Sequence, residues 1–164
     1  MTLAGGKVNA ANVKAGTTMT ISGATVNTGT GAGLVQAASI TMSKGKIIGK
    51  DLTVTANGDY TQSGGSIDTT GKLELSADNT TLTDGEISAN DAIITAQNEF
   101  TFSGDKLNVA NELQLNANNA TISGGEISAN DAIITTQEDF TFSGDKLNVN
   151  NELKLNANNA TISG

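Results

Sequence analysis

The 164-residue chain contains no cysteine, histidine, proline or tryptophan. Without cysteine and histidine it forms no disulfide and no thiolate or imidazole metal site. Without proline every strand residue keeps its backbone N–H, as the interior of a continuous sheet requires. Arginine is also absent, and nine lysines accompany 17 acidic residues, so that the formal charge is −8. This balance disfavours nucleic-acid binding, because the phosphate backbone needs a basic surface.

Aromatic residues and long apolar runs are also scarce. The chain has four Phe and one Tyr, no run apolar enough to span a membrane and no signal-peptide pattern. So few large side chains predict a narrow interior, which suits a stack of repeats better than one globular core.

The chain instead repeats itself. Residues Gly85–Gly124 and Gly125–Gly164 are the same forty residues apart from five substitutions. The substitutions are Ala96/Thr136, Asn98/Glu138, Glu99/Asp139, Ala110/Asn150 and Gln114/Lys154. Each forty contains a weaker repeat of about twenty residues. Such a period with strand-like alternation predicts the coils of a solenoid, where one coil is one turn of the chain around the axis.

The twenty-residue period is clearest in three columns of mostly apolar residues. The first column is Val8, Val26, Ile47, Ile67, Ile87, Leu107, Ile127 and Leu147. The second is Leu3, Ile21, Met42, Gln62, Leu82, Phe102, Ile122, Phe142 and Ile162. The third is Met19, Ile40, Tyr60, Thr80, Phe100, Ala120, Phe140 and Ala160. In the third column large residues alternate with small ones, which explains the longer period of forty if neighbouring coils fill each other's space.

Short alternating segments such as Leu73–Ala77 separate these columns and are typical of half-buried strands. The sequence therefore predicts an all-β parallel β-helix (β-solenoid) of about eight coils, each of about 20 residues and three short strands. In one coil the expected strands are Glu86–Ala89, Ala92–Ala96 and Glu99–Ser103. At about 4.8 Å per coil the rod is roughly 40 Å long. Glycines of the Ser-Gly-Gly and Ser-Gly-Asp segments and the asparagine pairs are expected at the corners.

The whole chain, residues 1–164, is expected to be a single β-helix array. Residues 1–44 hold more divergent coils, and residues 45–164 hold the regular forty-residue double coils. The segment Thr28–Gly33 is the most irregular and is expected to form a longer corner. Because neither end shows an amphipathic cap, the sequence favours a piece of a longer repeat array.

The coil pattern resembles a known family. Coils contain Gly64-Gly65-Ser66-Ile67, Gly71–Ala77 and Thr121-Ile122-Ser123-Gly124, a pattern similar to the haemagglutinin repeats of filamentous-haemagglutinin-type and contact-dependent inhibition exoproteins. The resemblance covers almost the whole chain and is strongest from Gly45 onward. It departs from the family at the Thr-Asn-Ser-Gly corner, where Gln62 or an apolar residue replaces the usual Asn.

That resemblance implies a right-handed β-helix within a long stalk, without catalysis or cofactors in this region. It also implies secretion to the bacterial cell surface through an outer-membrane transporter partner. The stalk would carry a distal receptor-binding or toxin region, whose receptor the sequence does not identify. Neighbouring repeats of the same polypeptide are the expected contacts. The open strand edges leave a self-assembling filament protein, which elongates end to end through those edges, as an alternative function.

The most regular surface feature is an array of hydroxyl side chains that flank the inward second column, once per coil. Residues i and i+2 of a strand share a face, so these side chains should point outward. The pairs of the regular region are Thr61/Ser63, Thr81/Thr83, Thr101/Ser103, Thr121/Ser123 and Thr141/Ser143. Stacked threonine rows resemble the ice-binding faces of some antifreeze proteins, which makes ice binding an alternative function. The simpler interpretation is that Thr favours strands and Ser precedes a glycine corner.

Two charged columns are the remaining candidates. One position on successive coils is occupied by Lys46, Ser66, Glu86, Lys106, Glu126 and Lys146, an alternation that favours register-setting surface pairs. A second column, Asp91, Glu112, Asp131 and Glu152, could attract calcium but lacks the spacing of a known calcium loop. Since the acidic residues recur by repetition and form no unique constellation, the sequence predicts no catalytic, cofactor or metal site.

Overall fold

The computed structural model describes residues 1–163, which fold into a β-solenoid of about eight coils spaced about 20 residues apart. No helix in these residues is long and apolar enough to cross a membrane.

Across residues 1–163, seventeen strands form one continuous sheet that winds around the axis. In the first half of the chain they are β1 Thr2–Leu3, β2 Lys7–Asn9, β3 Asn12–Lys14, β4 Thr18–Asn27, β5 Ala32–Ala37, β6 Ser39–Gly49, β7 Asp51–Ala56, β8 Asp59–Thr69 and β9 Lys72–Ala77. In the second half they are β10 Asn79–Ala89, β11 Asp91–Phe102, β12 Asp105–Val109, β13 Glu112–Ile122, β14 Glu126–Thr136, β15 Asp139–Phe142, β16 Lys146–Asn156 and β17 Asn159–Ile162.

The strand pairings confirm the predicted register. Every pairing among residues 1–163 is parallel and joins neighbouring coils, as in the series β4, β6, β8 and β10. All three predicted columns are pairing partners along their whole length: for example, Ile47 pairs with Ile67, and Ile67 pairs with Ile87. Each straight segment therefore has a paired segment on the coil above and on the coil below, except at the two ends.

Many strands, such as β10 and β11, are longer than the three short ones predicted per coil. The expected segment Glu86–Ala89 is the second half of β10, and the segments Ala92–Ala96 and Glu99–Ser103 lie in or overlap the single strand β11. Pairing with the next coil stops for only a few residues at each corner, as at the register shift between Ala96 and Glu99. At this corner the chain therefore bends within a strand, whereas β7 and β9 end at the equivalent residues Ala56 and Ala77.

The core is a single narrow column inside the sheet. Side chains alternate between buried and partly exposed along every straight segment of the inner coils, as in β7 and β9. Large and small residues alternate as predicted, because Thr80 lies between Tyr60 and Phe100 in the third column. The rings of Phe100 and Phe102 are stacked with centroids 6.4 Å apart. Each coil thus fills space that its neighbours leave open.

A row of glycines forms the corner after the second column. Gly45, Gly65 and Gly85 have positive φ, and a Cβ on Gly65 or Gly85 would lie 2.6 Å from the carbonyl oxygen of the glycine one coil earlier. A side chain fits neither the backbone conformation nor the space here. In the Ser-Gly-Asp coil the positive φ moves to Gly104, which places Asp105 inside the corner.

The irregular segment after β4 forms the expected longer corner. Thr28 is buried there, and its hydroxyl donates to the Ile48 carbonyl at 3.2 Å. A shallow surface groove of about 450 Å³ lies beside this corner and includes Gly29, Lys46 and Asp68 among its lining residues. The divergent residues 1–44 thus follow the same winding as the regular coils.

Candidate functional site

An unbroken ladder of threonines runs along the outside of the rod. Each member pairs with the next across adjacent coils, and Thr2 extends the predicted row by one position. The threonine ladder consists of Thr2, Thr20, Thr41, Thr61, Thr81, Thr101, Thr121, Thr141 and Thr161. Its members are partly or fully exposed, whereas flanking residues of the inner coils such as Phe100 and Phe102 are buried. This outer row is the most extended repeated surface on the chain.

The second hydroxyl row is less regular than the first. Ser22 pairs with Lys44 and Ser63 pairs with Asp84, because the register shifts by one residue at both places. Thr83, which should follow Ser63, has its hydroxyl 3.4 Å from the Gln62 carbonyl oxygen, to which it donates. The predicted two-column array is therefore wrong in these coils, since a bulge at the corner moves the hydroxyls out of line.

The later serines do stay in register. The backbone N–H groups of Ser103, Ser123 and Ser143 each donate to the carbonyl oxygen of the second-column residue on the preceding coil. These acceptors are Leu82, Phe102 and Ile122, at 2.7–2.9 Å. The serines that follow the threonine ladder therefore stay in line along the C-terminal coils.

A row of acidic and amide side chains lies on the other side of the threonine ladder. It alternates on successive coils and consists of Asp59, Asn79, Glu99, Asn119, Asp139 and Asn159. Asn79 donates from Nδ2 to Asp59 Oδ1 at 2.8 Å, and Asn159 donates in the same way to Asp139 at 2.9 Å. Sequence reasoning missed this row, although its spacing of twenty residues was visible.

This acid–amide row changes what the threonine ladder can do. Its members precede the threonines by two residues and so share the same outer face of the strand. Carboxylates and amides are strongly hydrated and longer than threonine, so the face is neither uncharged nor flat. The surface therefore offers hydrogen-bonding groups in a regular array, with a negative charge on every second coil.

The alternating charged column has the predicted register but few ion pairs. Glu86 pairs in the sheet with Lys106, Lys106 with Glu126, and Glu126 with Lys146. Of these neighbours only Glu126 and Lys146 form an ion pair in the described residues, at 2.8 Å. The hydrogen bond and charge of Lys146 lower the pKa of Glu126, with a smaller contribution from Lys106. Lys46 instead bonds to Asp68.

The acidic column is also assembled as predicted, and its aspartate carboxylates accept hydrogen bonds from backbone N–H groups. Asp131 pairs with Glu112 on one side and Glu152 on the other. The Oδ1 atom of Asp131 accepts the Glu152 backbone N–H at 3.2 Å and the Asn151 side-chain amide at 2.7 Å. Nowhere in residues 1–163 do three or more acidic side chains come together in a group able to hold a metal ion.

Sequence reasoning also missed a polar cluster inside the rod. The Tyr60 hydroxyl donates to Gln62 Oε1 at 3.0 Å, and both side chains are fully buried. Asp105 is 1% exposed; its Oδ1 accepts the Lys106 N–H, while its buried Oδ2 has no partner. Burial raises the pKa of Asp105 to about 6, with smaller contributions from Asp84 and Glu86. Burial, together with Asp105, raises the pKa of Tyr60 as well.

Comparison with known proteins adds no relationship to this picture. No family model, no curated protein and no solved structure matches the chain.

Proposed function

We propose that this chain is a structural stalk segment, a stiff spacer that holds another part of its polypeptide away from an attachment point. The observation that carries the proposal is the continuity of the threonine ladder and of the three apolar columns from the first coils to the last. Hydrogen bonds in such a stack run along the axis, so bending it requires many of them to be distorted together.

The distribution of chemical groups supports a structural role over an enzymatic one. The acids recur at matching positions along the rod, as with the partly exposed Asp91 and Asp131, each of which accepts a backbone N–H from the next coil. Catalysis needs one preorganised constellation, whereas these carboxylates repeat a single structural contact.

The biological setting we propose is a secreted bacterial adhesin or exoprotein. This part of the proposal rests on the sequence resemblance to haemagglutinin repeats described above. In that setting an outer-membrane transporter exports the polypeptide, and a distal region binds a receptor or acts as a toxin.

A length experiment tests the spacer role. A second copy of residues 85–124 inserted after Gly124 should add two coils, or about 10 Å, to the rod. Small-angle X-ray scattering should show this increase in maximum dimension, with thermal stability retained or raised. The proposal would be contradicted if the variant with the insertion had a larger cross-section and an unchanged length, or if it no longer unfolded cooperatively.

The setting can be tested separately with an antibody raised against this segment. A denaturing immunoblot of culture supernatant and cell envelope from the producing cells should show a band far larger than 16.6 kDa. A single band at 16.6 kDa would contradict the exoprotein setting while leaving the solenoid and its stiffness unaffected.

Ice binding is a second candidate function, because the threonine ladder supplies regularly spaced hydroxyl and methyl groups. Asp59, Glu99 and Asp139 beside the ladder count against it, since their hydration shells compete with an ordered water layer. Measurement of thermal hysteresis and ice-crystal shape decides the matter. Faceted crystals that disappear in a Thr81→Lys/Thr101→Lys variant would favour ice binding over the stalk.

A further inference from the structure

The acid–amide row and the threonine ladder lie side by side on one face of the rod. Both rows run through the same strand segments, which pair directly from coil to coil. These segments contain three acidic residues and no lysine, and we call their outer surface the ladder face. They are residues 59–63, 79–83, 99–103, 119–123 and 139–143. The ladder face is therefore a continuous anionic flank that extends about 19 Å along the axis.

The carboxylates of the ladder face are evenly spaced and lack cationic partners. Asp59, Glu99 and Asp139 are exposed, and none of them forms an ion pair within residues 1–163. On the coils between them the same position is occupied by Asn79 and Asn119. The carboxylates are therefore two coils apart, or about 9.6 Å along the axis.

The asparagines hold the row in order before any partner arrives. Asn79 donates from Nδ2 to Asp59 at 2.8 Å, and its Oδ1 accepts the Glu99 backbone N–H at 3.3 Å. Asn119 Oδ1 accepts the Asp139 backbone N–H in the same way at 3.1 Å. Because these amides link neighbouring coils, the row needs little further ordering on binding, which lowers the entropic cost of association.

A polyproline II peptide has a period that matches this spacing. Its rise is about 3.1 Å per residue with three residues per turn, so every third side chain points the same way at intervals of about 9.3 Å. Across the two intervals from Asp59 to Asp139 the mismatch with the carboxylates is only about 0.6 Å. A peptide in a β-strand repeats its faces about every 6.8 Å and loses register within one interval.

The threonine ladder supplies hydrogen-bond donors that such a peptide lacks internally. The polyproline II backbone forms no internal hydrogen bonds and leaves its carbonyl oxygens open. Thr81 and Thr101 are partly exposed, and their hydroxyls can donate to such oxygens. Thr101 lies two residues after Glu99 and so shares its face of the strand. One peptide can therefore contact the hydroxyl row with its backbone and the carboxylate row with its side chains.

We infer that the ladder face binds an extended, proline-rich peptide that carries a basic residue at every third position and lies along the rod axis. Its basic side chains pair with Asp59, Glu99 and Asp139, while its carbonyl oxygens accept hydrogen bonds from the threonine ladder. Proline restricts the free peptide to the required conformation. This inference goes beyond the proposed stalk role and does not depend on it.

The interaction should be weak and sensitive to salt. Each exposed ion pair contributes little, so binding depends on three pairs that form together at the correct spacing. The Debye length falls from about 8 Å at physiological ionic strength to about 3 Å at 1 M salt. Binding should therefore be measurable at low salt and be lost at about 1 M salt.

Two peptides of equal composition separate spacing from charge. The first has twelve residues in four Pro-Pro-Lys units, and the second has its four lysines together at one end, followed by eight prolines. In isothermal titration calorimetry with the full chain at low salt, the first should bind about tenfold more tightly, which corresponds to about 1.4 kcal/mol. Equal affinities would mean that charge alone attracts the peptide and would overturn the inference.

A variant of the chain tests the carboxylate row. Asp59→Asn/Glu99→Gln/Asp139→Asn should weaken binding of the evenly spaced peptide by about tenfold and abolish the preference between the two peptides. Each new amide keeps a side-chain oxygen that can accept the contacts within the row, so circular dichroism should show an unchanged fold. A variant that folds and binds as tightly as the parent would overturn the inference.

A matched control removes the same charge from another side of the coil. Glu74, Glu112 and Glu152 lie in β9, β13 and β16, outside the ladder face. The variant Glu74→Gln/Glu112→Gln/Glu152→Gln should bind the evenly spaced peptide as tightly as the parent. An equal loss in this control would show a response to net charge alone and would also overturn the inference.

Nuclear magnetic resonance locates the bound peptide. In the isotope-labelled full chain, the evenly spaced peptide should shift the backbone amide signals of Thr61, Thr81, Thr101, Thr121 and Thr141. Signals of residues 73–77, on another side of the coil, should stay in place. Shifts of equal size on both sides would mean diffuse attraction, and the ladder face would then not be the binding surface.

Discussion

The two forty-residue repeats at the C-terminal side have nearly the same sequence and quite different surroundings. Leu113 in the first repeat is 0% exposed, whereas its equivalent Leu153 in the second is 44% exposed. Ile122 is 1% exposed, and its equivalent Ile162 is 67% exposed. The first repeat lies between coils on both sides, whereas the second ends the described rod.

This contrast shows that burial in a solenoid comes from neighbouring coils and only indirectly from the sequence of a coil itself. Each coil presents the same inward residues, but one coil is too thin to cover them. The energetic value of a residue should therefore depend on its position in the stack, and paired substitutions in the two repeats measure that dependence directly.

The largest difference should come from truncating the inward leucine. Leu113→Ala leaves a cavity in a closed core and should lower the free energy of unfolding by about 2–5 kcal/mol. Leu153→Ala removes a half-exposed side chain, and its cost should stay below about 1 kcal/mol. Chemical denaturation of both variants checks this. Equal losses would mean that the terminal coil is packed as well as the inner one.

The next difference concerns the buried acid. Asp105 is 1% exposed, while its equivalent Asp145 is exposed and accepts the Gly125 backbone N–H at 3.2 Å. The folded-state pKa of Asp105 is raised to about 6. The protonated form is therefore favoured by folding, and this favourable contribution is complete below about pH 4, the unfolded pKa, and is lost as the pH rises through 6.

Asp105→Asn should abolish the loss of stability that accompanies ionisation of Asp105, because an amide carries no charge at any of these pH values. The variant should be more stable than the parent by roughly 1–3 kcal/mol at pH 8, with little gain at pH 4. Asp145→Asn serves as the matched control and should show no comparable gain at pH 8. Thermal unfolding of the three proteins across this range decides it; a stability difference independent of pH would show that Asp105 does not titrate as proposed.

A smaller difference is expected at the equivalent corner glycines. Gly104 has φ +75°, and a Cβ there would lie 2.8 Å from the Thr83 carbonyl oxygen. Gly104→Ala should cost about 1–2 kcal/mol, since a side chain disfavours this backbone conformation. At Gly144 φ is not positive, and the nearest atoms are side-chain carbons of Ile122 and Phe142 at 3.2 Å. Gly144→Ala should cost less, and a larger loss at Gly144 than at Gly104 would contradict the corner geometry.

Sequence periodicity alone predicted the solenoid, the three columns and the coil-to-coil partners, because pairing along the axis requires nothing beyond a constant repeat. It failed where one residue more or less changes the local geometry. The bulges at Ser22 and Ser63 depend on how a particular corner closes. Asp105 lies inward because the positive φ moves to Gly104, a choice between two glycine-containing corners that the pattern does not distinguish.

The charged column shows the same limit and gives the smallest expected difference. Register places Glu86 beside Lys106 and Glu126 beside Lys146, but only the second pair is in contact in the described residues. The hydrogen bond from Lys146 lowers the pKa of Glu126. The ionised form is therefore favoured by folding; this contribution is present above the ordinary pKa of glutamate and is lost as the pH falls through the lower folded value.

Glu126→Gln should therefore lower the melting temperature slightly at pH 7, and the effect should disappear near pH 3 and shrink in high salt. Glu86→Gln is the matched control, since the Glu86 carboxylate has no lysine partner among residues 1–163 and accepts an amide hydrogen bond from Asn108 at 3.3 Å. A Glu86→Gln variant that loses as much as Glu126→Gln, with the same pH dependence, would mean that register alone creates the interaction. The contact between two particular side chains would then add nothing to the alternation of charge.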